Sequence, residues 1–169
     1  MANRLARFSL AIHGGAPVRQ QVLPYGHQSI DDSDIAAVVE ALRSDWLTTG
    51  PRVREFERAF AASVQAGEAV AVSSGTAALH CAMGALGIGP GDEVIVPAMT
   101  FAASANCVVY QGATPVFADV HSDSLLIDPC DVEAKITQNT RAIIAVDYAG
   151  QPCDYDALRA LAQRHRLAL

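Results

Sequence analysis

From residue 69 onward the sequence alternates short apolar runs with stretches of helical pattern, and that alternation narrows the folds open to it. The runs are AVAV (69–72), EVIVP (93–97), TPVFADV (114–120) and RAIIAVDYAG (141–150). Helical pattern covers 75–86, 101–111, 131–137 and 154–165. Strand and helix taken in turn predict an α/β fold with a mainly parallel sheet and crossover helices, because a parallel neighbour is reached only by a crossover. The final RHRLAL reads as a helix end followed by the first residues of a fifth strand, so the sequence stops inside an element.

Upstream the pattern differs. In DDSDIAAVVEALRS (31–44) acidic and capping residues precede Ile35, Val38, Val39 and Leu42, which recur at helical spacing on one face. A loop, DWLTTGPR, follows, and Pro51 suits the first turn of a second helix running to about residue 66. The net charge of -6 and the lack of any Lys/Arg run argue against a nucleic-acid surface. No apolar segment is long enough to span a bilayer. FSLAI near the start is too short for the apolar part of a signal peptide and meets His13-Gly14-Gly15, so the expected location is cytoplasmic. Cys81, Cys107, Cys130 and Cys153 lack CxxC spacing, two falling in helical pattern and two in connections. They read as free thiols, with no metal site.

Ligands of open parallel sheets bind beyond the carboxyl ends of the strands. Those ends carry 73–76 (SSGT), 97–101, Asp119 and 147–150. At SSGT an apolar run breaks into a helix start. Free amides there and the positive end of the helix dipole favour an anion, commonly phosphate, and Gly75 admits close approach. Ser73, Ser74 and Thr76 add hydroxyls. A simple Ser/Thr cap is the other reading, and spacing leaves both open. Phe101 could stack on a planar ring or belong to the core. His80 fits a packed histidine, His27 lies in a polar loop, and Asp119 and Asp147 fit the capping of turns. Gly87, Gly89 and Gly91 follow a helix and precede a strand, the reverse of a dinucleotide fingerprint.

Taken together, LAIHGGAPVR, LPYGHQSIDDSDIAAVVEALRSDWLTTGPRVREFERAF, SSGTAALHCAM, GPGDEVIVPAMTFAASANCVVYQGATPVFADV and RAIIAVDYAGQPCDYDALRALA resemble the DegT/StrS family. Its members are nucleotide-sugar aminotransferases that use pyridoxal phosphate (PLP). The resemblance implies the N-terminal part of the large domain of the aspartate-aminotransferase fold, fold type I, with helices on both sheet faces. It places residues 1–66 as an N-terminal arm and helices and 67–169 as an incomplete PLP-binding domain, without the small C-terminal domain. It puts the cofactor phosphate on Gly75 and Thr76, the pyridine ring on Phe101, and the sugar nucleotide on Tyr25, Leu47 and Thr48. PYGHQSI, LTTGP and VDYAGQP are most similar to the branch that aminates a UDP-linked 4-keto-6-deoxy-N-acetylhexosamine on the pseudaminic acid pathway. Glutamate would be the amino donor, and the complete protein would be a homodimer.

The family's pyridine-pairing aspartate and its cofactor-bearing lysine fall beyond Leu169, so no catalytic residue is assigned. Lys135, the only lysine, stands in DVEAKITQNT, before the fourth apolar run and so expected at the sheet's amino edge as a surface residue. Two alternatives follow from the same likeness: a sugar dehydratase of the family, and a non-catalytic remnant or partial chain. The first run, AVAV, is expected as a strand whose usual antiparallel neighbour is missing, which would leave an open edge.

Overall fold

The computed structural model describes residues 10–24 and 26–169, and the chain divides into two compact units that meet between Gln65 and Ala66. The first unit is helical. Its helix α1, Asp32–Arg43, begins with a reciprocal cap: Asp31 accepts from the amides of Ser33 and Asp34, and Asp34 accepts from the amide of Asp31. Ile35, Val38, Val39 and Leu42 do share a face of this helix, but all four are exposed.

Helix α2 spans Pro51–Ser63, three residues shorter than its pattern, with Pro51 in its first turn. It ends where Gln65 turns left-handed at φ 56°. Arg52 ties the two helices by a 2.7 Å ion pair to Glu40. In the loop between them Gly50 is required by space, since a Cβ there would lie 2.7 Å from that of Trp46.

The second unit is a three-layer α/β structure. Strands β1 (Glu93–Pro97), β2 (Thr114–Ala118) and β3 (Thr140–Ile143) form a parallel sheet in the order β2-β1-β3. Helices α3 (Gly75–Ala85), α4 (Ala103–Tyr110), α5 (Pro129–Lys135) and α6 (Tyr155–His165) cover its two faces. Side chains of the central strand alternate between them. Val94 and Val96 join Met83, Cys107 and Val108 of α3 and α4, while Ile95 joins Val132, Leu158 and Leu161 of α5 and α6. All three β1 residues are completely buried, which is why the strand reads as a continuous apolar run rather than an alternating one.

The expected strand at 69–72 does not form. This run enters α3 without joining the sheet, leaving Val70 80% and Val72 40% exposed. Apolar character alone does not make a strand; a neighbour's ladder does, and the sheet's three strands are β2, β1 and β3. The last residues, by contrast, do reach the sheet. Ala168 forms a parallel bridge to Ala142, its carbonyl accepting from the Ile143 amide at 2.9 Å and its amide donating to the Arg141 carbonyl at 3.0 Å. Helix α5 starts two residues before its pattern because Asp128 caps it and Pro129 fits its first turn. Cys130 therefore lies in a helix, not in a connection.

Candidate functional site

Three of the expected junctions lie on one edge of the second unit. The strands are parallel, and α3 leads into β1 as α4 leads into β2, so the tips of β1 and β3 share an edge with the starts of α3 and α4. At the start of α3, Ser74 is extended (φ -167°, ψ 164°) and its hydroxyl oxygen accepts from the Ala77 amide at 3.1 Å. Ser74 thus supplies the cap, and the amides of Gly75 and Thr76 are left as the helix's unused donors, with no acceptor among the described residues. The cap reading holds on Ser74, and the donors that an anion site would use are the amides of Gly75 and Thr76.

Gly75 is not needed by the chain's own backbone or packing. Its φ is not left-handed, and a Cβ built on it would meet nothing within 4 Å. No heavy atom crowds Gly75 on its Cβ side, and the two amides stand at the positive end of the helix dipole, a setting that favours an anion. This donor set matches a phosphate monoester such as that of PLP.

Beyond β1 the chain turns through Met99 and Thr100 to Phe101. The turn is held by a 2.8 Å bond between the Thr100 and Ser104 hydroxyls and by the Ser104 amide donating to the Phe101 carbonyl at 3.0 Å. Phe101 is 77% exposed, so the core does not use its ring. A large planar apolar surface is thereby presented on the edge that carries the Gly75–Thr76 donors.

At the tip of β3, Asp147 is engaged rather than free. Its Oδ1 accepts from the Cys153 amide and the Tyr155 hydroxyl, each at 3.0 Å. The Cys153 amide chiefly holds this carboxyl below its ordinary value, with the Tyr155 hydroxyl adding to the effect. Burial, then the neighbouring carboxylate, pushes the Tyr155 phenol up to about 12. This pairing was not foreseen; Asp147 and Tyr155 are eight residues apart in different elements, and no local pattern joins them.

The remaining candidates are committed elsewhere. Asp119 caps its own turn through the Val120 amide, and its amide donates to Asp131 at 2.6 Å. Asp131 is also paired with Lys135, whose ammonium is the main cause of its lowered pKa. Lys135 ends α5 on the approach to β3, as expected, but its side chain leans one turn back along the helix to Asp131, the residue that reaches the tip of β2. His80 is exposed and sits edge-on to Tyr110 at 5.2 Å.

The four cysteines are free. Burial raises the pKa of Cys107 and Cys153, and Cys81 and Cys130 are exposed. No group of three metal-ligating side chains occurs among the described residues, nor does a helix long and apolar enough to cross a membrane. Of the residues expected on the sugar-nucleotide side, Leu47 and Thr48 are exposed in the loop of the first unit. Tyr25 lies outside the described residues.

Comparison with known proteins converges on one group. The model of the DegT/DnrJ/EryC1/StrS aminotransferase family matches residues 28–169. The spore coat polysaccharide biosynthesis protein SpsC of Bacillus subtilis (strain 168) is 50% identical over 149 residues, 88% of this chain and 38% of SpsC. Spr1654 of Streptococcus pneumoniae, described as a sugar aminotransferase and solved in PLP, PMP and apo forms, is 42% identical. It superposes with a TM-score of 0.81 over 85% of this chain and 37% of its own in the PLP form. DesV of S. venezuelae is 48% identical, with a TM-score of 0.76 over 79% of this chain and 36% of its own. The chain thus spans between a third and two fifths of the length of these relatives.

Proposed function

Given that this chain belongs to the DegT/DnrJ/EryC1/StrS aminotransferase family, we propose that it carries the phosphate- and ring-binding part of an aminotransferase site. The substrate is a nucleotide-linked keto sugar of the UDP-4-keto-6-deoxy-N-acetylhexosamine type, as on the pseudaminic acid pathway, with glutamate as donor. The enzyme acts as a homodimer. The observation that carries the reading is that the amides of Gly75 and Thr76, left without an acceptor among the described residues, and the exposed ring of Phe101 lie on one edge of the second unit.

PLP, the cofactor of the solved relatives in their PLP and PMP forms, supplies an electron sink for moving a proton at the carbon that bears nitrogen. The residues here bind and orient it. The Gly75 and Thr76 amides and the Thr76 hydroxyl take the phosphate at the positive end of α3. Phe101 covers one ring face and excludes water from it. Lys135 takes no part, being ion-paired with Asp131. Leu47, Thr48 and Tyr25 contact the sugar nucleotide, a role supported by their place in the LTTGP and PYGHQSI motifs.

The test is titration of the purified chain with PLP, followed by absorbance. Thr76→Ala and Phe101→Ala are each expected to weaken binding about tenfold, the effect of losing roughly 1.4 kcal/mol. Unchanged affinity in both would sink the site. Borohydride reduction followed by peptide mapping should leave Lys135 unmodified. On the substrate side, Leu47→Ala and Thr48→Ala should weaken UDP binding in the dimer while leaving PLP affinity alone.

A further inference from the structure

Between Asp147 and Cys153 the chain makes a short loop with an unusual backbone. Ala149 (φ 54°, ψ 24°) and Gly150 (φ 82°) are both left-handed, and a left-handed conformation is strained for any residue with a Cβ. Tyr148 is partly buried against the core, but Ala149, Gly150 and Gln151 beyond it are all exposed, so burial does not hold the outer part of the loop and hydrogen bonds must.

The bonds that do so converge on Asp147. Its carbonyl accepts from the Gly150 amide at 3.0 Å, closing the near side. Its Oδ1 takes the Cys153 amide and the Tyr155 hydroxyl, closing the far side and fastening the loop to the first turn of α6. Tyr155 is itself steadied, its ring lying 5.5 Å from the Arg159 guanidinium carbon. One carboxylate oxygen therefore spans the loop, and because it is ionised its two hydrogen bonds are of the stronger, charge-assisted kind.

The position of this loop gives the arrangement a use. Strand β3 lies beside β1, and the pairing continues past it through the Ile144 amide donating to the Ile95 carbonyl at 2.8 Å. The loop after β3 therefore emerges at the same edge, from the strand that neighbours the one whose tip turns to Phe101. The free amides of Gly75 and Thr76 belong to a different segment of that edge.

We propose that Asp147 is a positioning residue for the ring side of this site: through Cys153 and Tyr155 it holds the 148–151 loop in its left-handed turn beside Phe101, so that the loop bounds the space a bound ring occupies. The proposal rests on the PLP reading above. It assigns Asp147 no contact with the cofactor and no part in holding the phosphate.

Two probes separate these roles, PLP and inorganic phosphate, each titrated against the 169-residue chain and its variants. Asp147→Ala should weaken PLP binding about tenfold, consistent with the loss of charge-assisted hydrogen bonds, and leave phosphate binding unchanged. Asp147→Asn keeps an acceptor oxygen and should recover most of the loss. Tyr155→Phe removes one of the two donors, should give a smaller loss, and carries the same comparison if Asp147→Ala does not fold. Amide hydrogen exchange should quicken at 148–153 in Asp147→Ala and not in α3.

PLP affinity unchanged in Asp147→Ala while Thr76→Ala weakens both probes would overturn the proposal and leave the site standing. Equal losses of PLP and phosphate would also overturn it, since they would mark general loosening. If the parent chain bound neither probe, the site reading would fail and the proposal with it.

Discussion

Residues 69–72 and 93–97 are two short apolar segments that each run toward a helix at the same edge of the second unit, yet they hold very different places. In 93–97, β1 has a parallel neighbour on either side and a helical layer on either face, and Val94, Ile95 and Val96 have no exposure at all. In 69–72 no strand forms, and Val70 is 80% exposed. The helix after 69–72 is nonetheless well defined, because Ser74 caps it and Leu79 and Met83 pack on the core from within it. The comparison teaches that a helix start can be set by its own cap, whereas a strand exists only through its neighbours.

Substitutions can break this contrast. The largest effect is expected for Ile95→Ala, which empties a fully enclosed site between β1 and the α5–α6 layer. It should lower stability by about 2–5 kcal/mol in urea unfolding followed by circular dichroism. A loss below about 1 kcal/mol would mean that β1 is far looser than its burial implies. Ser74→Ala removes the cap of α3 and should cost about 1 kcal/mol in the same assay. If it were neutral, the preceding run and not the cap would be organising the helix.

A smaller effect should follow pH. The folded pKa of Asp147 and Asp131 is lowered, so each contributes stability at pH values above the ordinary carboxylate range. That contribution is lost as pH falls through the lowered folded values, below about pH 4. Tyr155 has the opposite sign: its folded pKa is raised to about 12, so its contribution is complete below the ordinary phenol value and disappears as pH rises through the folded one. Thermal melts should show a mild acid-side decline, reduced in Asp147→Asn. The smallest change is expected for Val70→Ala, within about 0.5 kcal/mol of the parent, as for other exposed positions. A loss comparable with Ile95→Ala would show that 69–72 is covered by something in solution, which would sharpen the contrast into one of missing partners.

Much of the fold was legible because its signals are local. Pro51, the acidic residues at 31–34 and the serines of SSGT announced helix starts, and in the structure Asp31 and Ser74 cap theirs through side-chain bonds reaching two or three residues along the chain. The run EVIVP announced a strand of the parallel sheet. In the candidate site, the helix start at SSGT and the place of Phe101 after a strand were readable, while the pattern left a cap or an anion site, and a core or a stacking ring, open until the family resemblance assigned them. The structure adds that Gly75 and Phe101 are exposed, that Thr76 is half-buried, and that the three share an edge. Leu47 and Thr48 were marked by motif alone, and their exposure in the first unit neither strengthens nor weakens that assignment.

By itself the sequence determined the alternation of helix and strand from 75 onward, the caps at Asp31 and in SSGT, and the family to which its motifs belong, because each of these depends on residues close together in the chain. Only the tertiary structure decided that 93–97 becomes a central strand and 69–72 does not, since a ladder needs partners some twenty or more residues away. It also decided that the Lys135 ammonium lies against Asp131, the residue that takes the amide at the tip of β2, and that Asp147 spans a strained loop to Tyr155. These outcomes rest on contacts between elements, and local pattern carries no record of which elements will meet.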